Sequence, residues 1–260
     1  MLQKLYWQVY LNLEKELLSI FDIIHVDDVQ LNVYSTKIAD LLIRITVEIE
    51  SIANTLYFSN GGPKPDDKSL YFDTDCMNHL VQLWDIDKKV VLVTCSNLFL
   101  SQEANLILTP LHKSHKRGSS SAEWCKAYQA IKHNRAKELK NGNLKNTIRA
   151  LAALYILNLY LKDETIEYSV HGEILFKDFS FSSKIFSILP PNNIGRRFYD
   201  DGKYYKGADF EKHIYVAIPD KLQYQELVIQ NRTNNYIDPQ KIINLKFTAE
   251  LNKNQPFLCH

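Results

Sequence analysis

The chain has 260 residues, 45% hydrophobic and 23% charged, enough apolar material to bury a sizeable core, which excludes fibrous and wholly disordered classes. Thirty-one Lys and Arg against 30 Asp and Glu leave a formal charge of +1, so the chain as a whole is neither a nucleic-acid coat nor an acidic tail. Eight Gly and eight Pro argue against a Gly-rich nucleotide-binding fold, and four cysteines without a CxxC pair point to a reducing, cytoplasmic setting.

The first element is a helix, because Leu2, Leu5, Tyr6, Val9, Tyr10, Leu13, Leu17, Ile20, Phe21 and Ile24 recur at spacings of three and four. Lys4, Glu14, Lys15 and Glu16 interrupt this segment, so it reads as mature sequence rather than as a signal peptide. Ser35 or Thr36 caps a second helix with the core stripe Ile38, Leu42, Ile45, Ile49, Ile52 and Leu56. Ile43 and Val47 on its other side predict packing on two faces, with Arg44 and Glu48 partly buried and paired. Gly61-Gly62-Pro63 then opens an insert, 64–118, in which the β-branched run Val90 to Thr94 predicts a short strand.

Ser120 and Glu123 have capping-box spacing and start a third helix with the stripe Trp124, Ala127, Tyr128 and Ile131. Asn141-Gly142 ends it, and Asn143 caps a fourth helix that is apolar nearly all round toward Leu161 and belongs at the centre of the bundle. Its most apolar run, Ala150 to Leu161, is too short for a bilayer, which needs roughly 20 apolar residues, so no membrane association is expected. Past Asp163 the helical period gives way to alternating runs at Tyr168 to Phe176, Lys212 to Ile218 and Ile243 to Leu251, with a turn at Asp201-Gly202. The expected architecture is therefore mainly α: residues 1–163 form a bundle of four long helices with a small β-containing insert, and 164–260 a β-rich extension packed on it.

Near-neutrality conceals an uneven distribution. From His112 to Arg149 there are ten basic residues (Lys113, Lys116, Arg117, Lys126, Lys132, Arg135, Lys137, Lys140, Lys145 and Arg149) against Glu123 and Glu138. This surplus of eight sits opposite a deficit of seven spread over the rest of the chain. Lys113, Lys116, Arg117, Lys132 and Arg149 are the candidate anion-binding set, most economically for RNA phosphates. Arg196-Arg197-Phe198-Tyr199 and Lys203-Tyr204-Tyr205-Lys206 add a second basic, aromatic stretch.

The segment Trp124 to Arg135 is the most informative. At about 100° per residue Arg135 falls on the Trp124 stripe and His133 nearly opposite. A guanidinium on a core-facing stripe requires a partner, and Glu48 is the expected one, with Arg44 or Asp40 completing a network. His133 as acid or base, with Arg135 or Lys132 stabilising a phosphorane-like transition state, is the alternative, ribonucleolytic reading. A third reading makes the motif purely structural in a scaffold protein. His112 and His115 have metal-ligand spacing without a clear third ligand, so no metal is expected, and the absence of a phosphate-loop or dinucleotide motif leaves no cofactor expected either. Cys125 is expected to be a half-buried structural thiol.

The W-x-x-x-Y-x-x-I-K-H-x-R stretch, leading into an Ala-Leu-rich helix and preceded by the Arg44/Glu48 helix, resembles helical proteins of the HEPN (higher eukaryote and prokaryote nucleotide-binding) superfamily over residues 34–58 and 120–162. The resemblance implies a helical bundle, often dimeric, with RNA or a protein partner, in bacterial antiphage defence or toxin–antitoxin systems. The superfamily's catalytic motif, an Arg followed a few residues later by a His, has no counterpart here; His133 precedes Arg135. The resemblance therefore carries the bundle and its associations, not the catalytic roles.

Overall fold

The computed structural model describes residues 2–64, 70–112, 122–161, 166–168, 174–176 and 182–188. In chain order these form α1 (Leu2–Phe21), β1 (Val26–Asp27), α2 (Thr36–Ser59), α3 (Met77–Trp84), β2 (Val91–Val93), β3 (Leu98–Phe99), α4 (Glu103–Leu106), β4 (Ile107–Leu108), α5 (Glu123–Glu138), α6 (Leu144–Leu161), β5 (Ile166–Tyr168), β6 (Ile174–Phe176) and β7 (Phe186–Ile188). The protein is mainly helical with small sheets, as its periodicity requires.

α2 and α6 make the most extensive helix–helix contact; α1 and α5 each pack on both. Every residue of the expected α2 stripe is buried, and Ser35 Oγ accepts the Ile38 N–H at 3.1 Å, the N-cap bond that the sequence predicts. The helix is not covered on both predicted flanks, because Val47 remains 48% exposed. In α6 the positions from Ala150 through Asn158 are all buried, and Asn143 Oδ1 accepts the Asn146 N–H at 3.0 Å to cap it. An apolar surface around the whole helix circumference is what a central position demands. No described helix is long and apolar enough to cross a membrane.

The stretch before α5 contributes more than short strands. A π-turn at Phe72–Cys76 leads into α3, whose Met77, Leu80 and Trp84 enter the same core as the long helices. The expected strand is present as β2, with β4 antiparallel on one edge and β7 antiparallel on the other, pairing Val91 with both Leu108 and Ile188. β1 and β3 are parallel, and β5 pairs antiparallel with β6, so the run expected as one strand from Tyr168 to Phe176 has its ends in two partner strands. The expected runs at 212–218 and 243–251, the turn at Asp201-Gly202 and the basic stretch Arg196 to Lys206 lie outside the described residues.

Gly142, between α5 and α6, passes directly over α2. A methyl group there would overlap Cβ of Ala39 and lie 2.8 Å from its Cα, so the connection approaches α2 as closely as a backbone can.

Candidate functional site

The expected stripe of α5 holds as far as Ile131: Trp124, Ala127, Tyr128 and Ile131 are buried, and Trp124 Nε1 donates to Pro110 O at 2.7 Å. The expected Ser120–Glu123 box is replaced. Ser120 lies outside the described residues, Ala122 occupies the N-cap without a side-chain bond, and the Glu123 carboxylate pairs with Lys145 on α6 at 3.2 Å. Asn134 then breaks the helix, with φ −150° and ψ 70°. Its Oδ1 accepts the Lys137 N–H at 3.4 Å, so Asn134 serves as N-cap of the turn that follows, a role for which Asn is among the preferred residues.

That break overturns the buried network. A continuous helix would return Arg135 to the Trp124 stripe, but the non-helical residue before it rotates everything after it outward. Arg135 is exposed and its Nη1 pairs with Asp40 of α2 at 2.7 Å, with side chains 49% and 53% accessible. Arg44 is also exposed and pairs with Glu16 of α1 at 2.5 Å. Glu48 belongs to neither bridge, so the expected Arg44, Glu48 and Arg135 network is instead two separate surface ion pairs.

Lys132, His133, Arg135, Lys137 and Lys140 are all exposed, as is Lys126 on the preceding turns. Lys132 lies over the Tyr128 ring, 5.5 Å from its centroid. It also opposes the burial that raises the Glu50 carboxyl above its ordinary range, an upward shift to which Asp73 adds. Arg149 is drawn the other way: it is half-buried, and its Nη2 donates to Ala104 O and to Asn105 Oδ1, both at 3.2 Å, tying α6 to α4. Burial lowers its pKa from the ordinary arginine value. Lys132, His133 and Arg135 are thus each solvent-exposed on either side of the Asn134 break, whereas Arg149 has a packing role. Lys113, Lys116 and Arg117 lie outside the described residues.

Nearby, α5 and the start of α6 border an open cleft of about 370 Å³. Glu123, Lys126, Ala127 and Ala130 line it from α5, and Asn143, Lys145 and Asn146 from the opposite wall, where Lys145 neutralises the Glu123 carboxylate. Asn32 and Asn141 complete its rim. Four asparagines converge here from two parts of the chain, Asn32 and the segment 141–146. Asn141 and Asn143 hold the helix-end and cap positions legible in the sequence, whereas Asn32 joins them only through folding.

Two polar centres escaped the sequence reading. Glu14 is 2% exposed, and its Oε1 accepts from Tyr10 Oη at 2.8 Å, from the Lys184 N–H at 3.0 Å, from the Ile185 N–H at 3.4 Å and from Ser183 Oγ. Burial, then the Glu14 charge, push the Tyr10 and Tyr155 phenols well up. Asp28, in the turn directly after β1, accepts from Asn105 Nδ2 at 2.8 Å and from Ser101 Oγ at 2.7 Å, besides the N–H groups of Ser101 and Gln102. These bonds, led by the one from Asn105, hold its carboxyl at about 2. Both carboxylates bind protein donors and so act as clips.

Cys125 is more deeply buried than the expected half; its thiol donates to Asp73 Oδ1 at 3.7 Å, and burial holds it far above the usual thiol range. Burial likewise pushes Cys76 up to about 12, which suits structural thiols rather than nucleophiles. Among the described residues no group of three or more His, Cys, Asp or Glu is arranged to hold a metal. Compared with known protein families, with curated proteins and with solved structures, the chain has no match.

Proposed function

We propose that this chain is an RNA-binding module of HEPN-like helical build, holding RNA by its phosphates on the basic surface formed by α5 and the turn after Asn134. One observation carries the reading: from Lys132 to Lys140 every cationic side chain is solvent-exposed, in a protein whose overall charge is only +1. Concentrated cationic charge on an otherwise balanced molecule gives affinity for a polyanion without general stickiness. Arg135 keeps one face toward Asp40, while Lys132, Lys137 and Lys140 form no ion pair with a described carboxylate apart from the long-range field at Glu50. The buried free thiols Cys76, Cys95 and Cys125 suit a cytoplasmic setting, and the HEPN resemblance suggests antiphage defence or a toxin–antitoxin pair.

The test is the salt dependence of binding to a labelled single-stranded RNA. Affinity should fall by about 0.7 log units per log unit of salt for each phosphate neutralised. Replacing Lys132, Lys137 and Lys140 together by Ala should lower that slope by about two. Undetectable or salt-independent binding would refute the proposal. The ribonuclease alternative is read from the same incubations on a gel. Cleavage that His133→Ala abolishes would establish it, although the engagement of Arg135 by Asp40 argues against a transition-state role for that side chain.

A further inference from the structure

We infer that the asparagine-lined cleft between α5 and α6 is a subsite for one unpaired nucleobase bearing an exocyclic amine, as adenine, cytosine and guanine do and uracil does not. This rests on the RNA-binding reading above and specifies what part of the RNA is read. The cleft, about 370 Å³, falls in the size range of small-molecule sites, roughly 300–1,000 Å³. Its α5 wall carries Ala127 and Ala130, three residues apart on one face, so a flat ring can lie against the helix without displacing a side chain.

The rim and the opposite wall hold two side-chain amides, Asn141 and Asn146, whose Nδ2 atoms are committed elsewhere. Asn141 Nδ2 donates to Glu138 Oε2 at 2.7 Å, and Asn146 Nδ2 donates to Asn141 O at 2.9 Å. Each bond fixes its amide plane, and no hydrogen bond among the described residues engages Oδ1 of either. Asn146 is 9% exposed, so its orientation is set by packing as well. Asn143 differs, because Oδ1 caps α6 and Nδ2 donates to Lys140 O at 3.1 Å. Fixed carbonyl oxygens select N–H donors. Adenine N6 and cytosine N4 present an amino group where uracil presents the O4 acceptor, which two carbonyl oxygens would repel.

Charge completes the site. Lys126 is exposed beside the cleft and meets the phosphate of the bound nucleotide, while the Glu123–Lys145 pair at 3.2 Å ties the first turns of α5 and α6 together. Lys132 follows Lys126 by six residues, about 9 Å along α5, so one strand can occupy the cleft and the basic surface together.

Fluorescence anisotropy with labelled oligo(A), oligo(C) and oligo(U) RNA of equal length tests this. Oligo(A) and oligo(C) should bind about fivefold or more tighter than oligo(U), the smallest ratio expected for a well-made base contact. Ala130→Trp, which fills the cleft, should bring them down to the oligo(U) affinity and leave oligo(U) unchanged. Asn141→Ala provides the same comparison if the larger side chain impairs folding, which the thermal melt reports. Equal affinity for the three oligomers, or a preference that survives both variants, overturns the subsite and leaves the RNA-binding reading standing. Failure of all three to bind overturns both.

Discussion

Glu14→Ala is the sharpest perturbation of the fold. One buried oxygen on α1 accepts from Tyr10, Ser183, Lys184 and Ile185, and thereby anchors the segment carrying β7 some 170 residues downstream. Truncation leaves the Ser183 hydroxyl and the Lys184 N–H without an acceptor, while Tyr10 Oη and the Ile185 N–H keep Ser183 Oγ at 2.8 and 3.0 Å. At about 1–3 kcal/mol for each of these two groups, not fully additive because one oxygen serves both, the net loss is about 2–5 kcal/mol. At about 2–4 °C per kcal/mol for a chain of this size, Tm should fall by roughly 4–20 °C. Glu14→Gln retains Oε1 and should cost about 1–2 kcal/mol, the difference between charge-assisted and neutral bonds. Hydrogen exchange supplies the local readout, since the amides of Lys184, Ile185 and Phe186 should lose protection before those of α2. A Glu14→Ala protein that melts within about 2 °C of wild type, with these amides still protected, would refute the reasoning.

Gly142→Ala should destabilise by about 1–3 kcal/mol in urea titration, because its methyl group overlaps Ala39, and Ala39→Gly should relieve part of the loss. Arg135→Ala should cost less than about 1 kcal/mol, as expected for an exposed pair; a loss of about 3–5 kcal/mol would restore the buried-network reading. Asp28 has a folded pKa of about 2 against an ordinary 3.8, so its stabilisation is fully present above pH 4 and lost as pH falls toward 2. The stability difference between wild type and Asp28→Asn should therefore shrink across that window, and parallel pH profiles would contradict the assignment. In a Cys259→Ser background, a disulfide reagent at pH 8 should leave native Cys76, Cys95 and Cys125 unmodified and label all three on unfolding.

Local interactions were legible in the sequence. Helical stripes such as Ile38 to Leu56 depend on spacings within one or two turns, and the Ser35 and Asn143 caps depend on bonds to backbone three residues on. The concentration of basic residues between His112 and Arg149 was equally plain from the chain alone. What escaped was everything for which two distant segments must meet. Asn134 has a good N-cap side chain in a pattern that periodicity alone would continue through, and Arg135 accordingly finds Asp40 on another helix. Glu14 looks like an ordinary polar interruption of α1 until Ser183 and its neighbours arrive, because a carboxylate's cost of burial is offset only by donors that the remote chain brings. The same holds for Arg149, drawn inward by Asn105, and for the cleft, whose walls belong to α5, α6 and the turn at Asn32. Sequence by itself determined which segments are helical and where the basic charge lies along them. Only the tertiary structure decided which of those charges reach solvent, because accessibility depends on what the rest of the chain packs against.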